Sequence, residues 1–179
     1  MSAEYLVSSL PPVPFDGPAP FPQAKFAEMC SEWLSARDAR GVAALVSGAE
    51  SSHPLVVRWR DLSVQMRNAS AEERARASGA DAGKWKRPAS GCDIYRTSLV
   101  RAAFRENGPM ARQDALDRAE WDAAGELVSP CDPLGPGAAF AYAVRLGVAE
   151  RRSRTAATEG NAIFDRIAAA ARTGAAGKE

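Results

Sequence analysis

Apolar residues recur along most of this chain at steps of three, four and seven, the period of a helix with one buried face. Phe26, Met29, Cys30, Trp33 and Leu34 trace the first such face, and Pro22 stands at a helix start, where a missing N–H costs nothing. Asp38 precedes a second, shorter set, Val42, Leu45 and Val46, which Ser47 and Gly48 terminate. The two predict a helical hairpin. Leu55, Trp59, Leu62 and Met66 open a longer stretch that, continuous from Pro54 to Ala77, spans about 36 Å. Ser70 and Glu73 also spell a capping box, so a break at "NAS" is the alternative to the continuous helix preferred here.

The polar, glycine-bearing stretch 79–91, "GADAGKWKRPASG", predicts a flexible loop. Beyond it Tyr95, Leu99, Ala103 and Phe104 repeat at helical spacing until "ENGP" at Glu106 to Pro109. A further helix over Met110 to Val128 carries Leu116, Trp121, Ala123 and Leu127, and "SPCDPLGPG" ends it. The last third holds "AAFAYAVRLGV" and then a stripe of Ile163, Phe164, Ile167 and Ala171. No segment outside Tyr5 to Leu10 alternates as a strand does. The pattern predicts an all-α fold, a single helical domain over 1–172 with about six or seven helices and a frayed tail at 173–179. The prolines of "YLVSSLPPVPF" forbid a long helix, so residues 1–20 read as an extended arm that lays Tyr5, Leu6, Val7, Leu10 and Phe15 into a groove between helices.

Composition changes this picture little. Of 179 residues, 46% are hydrophobic and 25% charged, which is ordinary globular usage and argues against wholesale disorder. A net charge of +1 gives no field to draw in a polyanion, so nucleic acid is not an expected partner. The opening apolar run is too short to cross a bilayer and lacks a basic flank and a small-residue cleavage site, which predicts a cytoplasmic protein without direct membrane insertion. Cys30, Cys92 and Cys131 show no paired spacing and read as incidental thiols.

Candidate chemistry is sparse. "GADAGKW" places three residues, not four, between its first glycine and Gly83–Lys84, and Trp85 stands where a P-loop needs Ser or Thr, so no nucleotide cofactor is implied. His53 is the only histidine; it has no paired ligands for zinc and no elbow motif for a nucleophile, and it reads as a helix-start residue before Pro54. Asp114, Asp117, Glu120 and Asp122 cluster around Trp121. Paired carboxylates can do acid–base work, but the interleaved Arg112 and Arg118 favour a solvated, self-compensating face. Arg145, Arg151, Arg152 and Arg154 form one basic cluster, fit either to dock an acidic partner or to solubilise a helix C-terminus.

Several stretches nevertheless form an ordered set. "YLVSSLPPVPF", with Tyr5, Leu10 and Pro11, followed by "FAEMCSEWL", resembles the opening of an uncharacterised bacterial family encoded with the subunits of V/A-type ATP synthases (V-type ATPases). "WRDLSVQMRNASAEERA", with Trp59, Arg67, Asn68 and Arg74, is similar to that family's long central helix. "ALDRAEWD", with Asp117 and Trp121, resembles its Leu-Asp-x-x-x-Trp stretch. "FAYAVRLGVAERRSRTAATEGNAIF", with Tyr142, Arg145, Glu150 and Arg151, resembles its C-terminal segment; here Arg145 replaces the family's frequent lysine and no tryptophan follows Arg151. The resemblance implies a non-catalytic subunit or adaptor of a rotary ATPase, related to the helical central-stalk component that joins the membrane rotor ring to the shaft. It implies other ATPase subunits as partners and a peripheral place at the inner membrane. A transient assembly factor is the alternative within that reading. A small helical enzyme using the Asp114 to Asp122 carboxylates is the alternative outside it.

Overall fold

The computed structural model describes residues 2–154. The expected stripe of Ile163, Phe164, Ile167 and Ala171 and the frayed tail therefore lie outside the described residues. Seven α-helices are present among them: α1 (Ala3–Ser9), α2 (Gln23–Trp33), α3 (Ala36–Ser47), α4 (Pro54–Ser78), α5 (Ile94–Ala103), α6 (Pro109–Ala124) and α7 (Pro136–Arg154). Short 3-10 turns at Ala82–Lys84 and Gly125–Leu127 complete them, and no strand forms among the described residues. The all-α expectation holds.

The opening segment departs from the expected arm. Residues Ala3–Ser9 are helical because Ser2 caps the Glu4 amide and no proline intervenes before Pro11. Only residues 10–22 run without regular structure. Leu6 is buried and Val7, Leu10 and Phe15 are half-buried, but Tyr5 is 62% exposed and stacks on Trp33 with ring centroids 4.8 Å apart. A helix puts Tyr5 and Leu6 about 100° apart, so both cannot enter one groove.

Caps explain the remaining boundaries. Ser35 caps α3 and exchanges a reciprocal bond with Asp38, which places Asp38 inside the first turn rather than ahead of the helix. Gly48 ends α3 at φ 72°, a left-handed position. His53 caps α4, its Nδ1 accepting from the Leu55 amide at 3.3 Å. Helix α4 continues through "NAS", and Ser70 donates to the Met66 carbonyl instead of forming a capping box.

Helix α7 is the axis of the molecule. Its Ala139, Phe140, Ala141, Ala143, Val144, Leu146, Val148 and Ala149 are all buried, and α1, α2, α3 and α6 pack around it. The main core joins Leu6, Phe26, Cys30, Val42, Val56 and Leu127 to that helix; a second holds Met66, Ala69, Val100 and Ala123 between α4, α5 and α6. Half-buried Trp59 touches both. Helix α3 approaches α7 closely enough that a Cβ on Gly41 would stand 2.7 Å from the Phe140 ring and 2.9 Å from that of His53. Small size, not backbone freedom, is what this position needs.

At the end of α5, Ala103 and Phe104 pack inward as expected, but at its start Arg96 and Val100 are the buried positions rather than Tyr95 and Leu99. Tyr95 is 65% exposed, while Arg96, Val100 and Ala103 face inward. Arg96 enters because Glu126, in the turn after α6, receives its Nε at 3.0 Å and a second bond from Nη2. The stretch 79–91 is laced onto α4: Asn68 exchanges two hydrogen bonds with the Arg87 backbone, Gln65 donates to the Ser90 carbonyl, and Lys86 pairs with Glu72 at 2.7 Å. Burial is small there, but the Lys86 hydrogen bond holds the Glu72 carboxyl below its ordinary range.

Candidate functional site

The densest charged constellation lies where α6 crosses the end of α7. Asp114, Asp117 and Glu120 recur every three residues on α6 and so share a face. Alanines at 119, 123 and 124 let α6 approach α7, and the arginines at 151 and 152 leave the C-terminal turn of α7 toward those carboxylates. Arg151 Nη2 donates to Asp117 Oδ1 at 2.8 Å and to Glu120 Oε2 at 2.6 Å. Arg152 Nη1 donates to Asp114 Oδ1 at 2.6 Å and stands 3.7 Å from Asp117 Oδ2. Gln113 closes the set, donating to Asp117 Oδ1 at 2.8 Å.

Asp117 is only 2% exposed, so the expected solvated face is not what forms. The compensating charges come from α7 across 34 residues of chain, not from the neighbouring Arg112 and Arg118. Arg112 lies over the Phe104 ring at 5.1 Å and Arg118 over Phe15 at 3.5 Å. Burial disfavours the charged form of Arg151, but the charges of Glu120 and Asp117 outweigh it and raise the guanidinium above its ordinary value.

The N-terminal segment is fastened to the same place. Arg152 donates from Nε to the Phe15 carbonyl at 3.0 Å and from Nη2 to Asp16 at 3.1 Å. The Phe15 ring sits between the guanidinium groups of Arg118 and Arg152, the latter 4.0 Å from its centroid, and meets Trp121 edge-on at 5.4 Å. Arg145 covers the Trp121 ring at 5.4 Å. Cations and rings thus alternate across three elements. Along α7, Tyr142 donates to the Pro11 carbonyl at 2.9 Å and Glu150 accepts from the Gln23 amide. Burial pushes the Tyr142 hydroxyl up to about 12.

The residues singled out in the sequence fall into three groups. Asp117, Trp121, Arg145, Arg151 and Arg152 meet in the α6–α7 seam; Leu10, Pro11, Tyr142 and Glu150 join the N-terminal segment to α7, with Tyr5 outside on α1. Arg67 and Arg74 lie on the side of α4 that borders α6, Asn68 bonds the Arg87 backbone on another side, and exposed Arg154 donates to the Glu150 carbonyl at 3.4 Å. Phe15, expected to lie in a groove, joins this network, and Asp16, Gln23 and Gln113 complete it. The partners of Asp16 and Gln23 are more than 100 residues away, so no local spacing announces them.

Protein-family models, curated proteins and solved structures were compared with the chain, and none matches. Chemistry must therefore be read from geometry. An open cavity of about 550 Å³ beside the seam is lined by Phe15, Asp16, Met110, Asp114, Asp117 and Arg152. Its carboxylates accept from Arg151 and Arg152. Among the described residues, no three His, Cys, Asp or Glu side chains are grouped to hold a metal ion, and no helix is long and apolar enough to cross a membrane.

Proposed function

We propose that the protein is a non-catalytic subunit or adaptor of a bacterial V/A-type rotary ATPase, related to its central stalk, acting through surfaces held in fixed geometry. The observation that carries this reading is the meeting of its widely separated motif segments. The Tyr-Leu-Val-Ser-Ser-Leu-Pro opening reaches α7 at Tyr142, and the Leu-Asp-x-x-x-Trp helix meets Arg151 near its end, so the three motif segments meet along α7. Segments clamped together by ion pairs and stacked rings suit a part that transmits force or fixes distance. A catalytic cleft instead needs polar groups left available for substrate.

Co-purification from the native host tests it. The tagged protein should recover rotary-ATPase subunits at fixed stoichiometry from the mature, ATP-hydrolysing complex. Recovery without those subunits overturns the reading. Presence in assembly intermediates but not in the mature complex replaces the subunit role by that of an assembly factor.

A further inference from the structure

The stretch 79–91 is bounded by two left-handed turns. Gly79 stands at φ 66° and Gly91 at φ 75°, and a Cβ at either would meet nothing within 4 Å, so backbone conformation and not crowding calls for glycine there. Between them the chain is fastened by side chains of α4. Asn68 donates from Nδ2 to the Arg87 carbonyl at 2.8 Å, and its Oδ1 accepts from the Arg87 amide at 2.9 Å. Gln65, one turn earlier on the same face, donates to the Ser90 carbonyl at 2.8 Å and accepts from the Asp93 amide at 2.7 Å, one bond on each side of Gly91. Lys86 reaches Glu72, one turn later, at 2.7 Å.

These fastenings are all polar and all close to water. Apart from half-buried Ala82, every residue from 80 to 90 is exposed, Trp85 included at 57%. Lifting the stretch off α4 therefore uncovers little apolar surface, and hydrogen bonds that water can replace contribute little each. No charge is stranded either: Glu72 keeps Arg101 of α5, 3.5 Å away, when Lys86 leaves. The core between α4 and α5 is built without the stretch, from Met66, Ala69, Val100 and Ala123. A segment held this way opens at a far smaller free energy than the whole fold. It borders an open groove of about 330 Å³ that Ala69 and Glu72 of α4 line together with Thr97 and Arg101 of α5.

We propose that residues 80–90 form a detachable strap, hinged at Gly79 and Gly91 and latched by Asn68 and Gln65, that lifts as one unit from the α4–α5 groove while both helices stay folded. Asn68 is the main latch, because it ties both backbone groups of a single strap residue. Gln65 holds the far end, and each latch keeps in place the backbone that the other must meet. The strap does not depend on the rotary-ATPase reading; it needs only its bonds to α4.

Limited trypsin digestion of the full chain tests it, because cleavage inside the strap requires it to leave α4 and the rate follows the open population. Trypsin cuts after Lys84 and Lys86 but not between Arg87 and Pro88, and a cut after buried Arg96 reports unfolding of α5. The strap cuts should precede the Arg96 cut, and N68A should speed them about tenfold with the Arg96 cut unchanged. Q65A should speed the Lys86 cut as well, although Gln65 bonds only around Gly91, because the strap opens as one unit. Alanine suits a helix at both positions, and circular dichroism checks that each variant folds. Strap cuts no earlier than the Arg96 cut overturn the proposal. So do an unmodified chain cut as fast as a free peptide of residues 79–91, Lys86 cleavage unchanged in N68A, or a Lys86 cut that N68A speeds and Q65A does not.

Discussion

Replacing Asp117 by alanine gives the most direct measure of what holds the α6–α7 seam. The carboxylate accepts from Arg151 and from Gln113, each at 2.8 Å, and stands 3.7 Å from Arg152. Removing one partner from a fully buried ion pair costs about 3–5 kcal/mol, chiefly because the other charge is left uncompensated. Here neither arginine is stranded: Arg151 keeps Glu120 and Arg152 keeps Asp114 and Asp16. The Arg151 side chain is also 40% exposed, so water screens part of the attraction. What is lost is one charge-assisted hydrogen bond of about 1.5–3 kcal/mol, partly recovered by that solvation, and a weaker one of about 1 kcal/mol from Gln113. The expected loss for D117A is therefore about 2–3 kcal/mol.

Urea unfolding followed by circular dichroism measures it, and a cycle with R151A separates the pairwise part. The coupling between the two positions should be about 1 kcal/mol or more, with the denaturant slope unchanged. A D117A cost below about 0.5 kcal/mol, with coupling near zero, would refute the claim that the seam is held by this pair.

Two further outcomes follow from shifted groups elsewhere. Burial pushes the Asp38 carboxyl up, but hydrogen bonds from Ser35 and His53 and the nearby charges of His53 and Arg37 outweigh it, so its value lies below the ordinary one. A carboxyl depressed on folding stabilises above its unfolded value of about 3.9, and that stabilisation is lost as pH falls through the folded value. Urea midpoints should therefore fall more steeply below about pH 4 in the unmodified chain than in D38N, and parallel curves would contradict the assignment. Burial also pushes the Cys30 thiol up to about 12, whereas Cys92 and Cys131 are exposed. Mass spectrometry after brief alkylation at neutral pH should find Cys92 and Cys131 modified and Cys30 modified only in denaturant; labelling of native Cys30 at a comparable rate would contradict its burial.

Local signals in the sequence are legible where the structure uses them locally. The period-3.6 stripes, the Gly48 stop, His53 at a helix start and the long α4 all appear as the residues imply, because caps and amphipathic faces act within a turn or two. The start of α5 differs by one position because Arg96 is buried by a partner 30 residues ahead, which no window on α5 contains. The carboxylates of α6 differ for the same reason. Interleaved arginines are the visible compensation, but Arg112 and Arg118 turn onto aromatic rings while Arg151 and Arg152 arrive from α7. The opening run differs in another way: its prolines dominate the local pattern, yet they leave Ala3 to Ser9 free, and there Ser2 suffices to start a helix.

These departures share a physical root that bears on function. A charge on a surface helix is available to a partner only if nothing in its own fold reaches it, and that depends on tertiary crossings rather than on local charge density. The densest basic run, around Arg151 and Arg152, is largely turned inward because alanine-rich α6 lets α7 come close enough for guanidinium groups to reach Asp114, Asp117 and Glu120. The two arginines of α4 have acids close by in sequence, yet Glu72 and Glu73 turn toward Lys86, Arg76 and Arg101, leaving Arg67 and Arg74 on the other side of the helix. Arg151 and Arg152 are thus engaged by the α6 carboxylates, while Arg67 and Arg74 border the same cleft without an ion pair among the described residues.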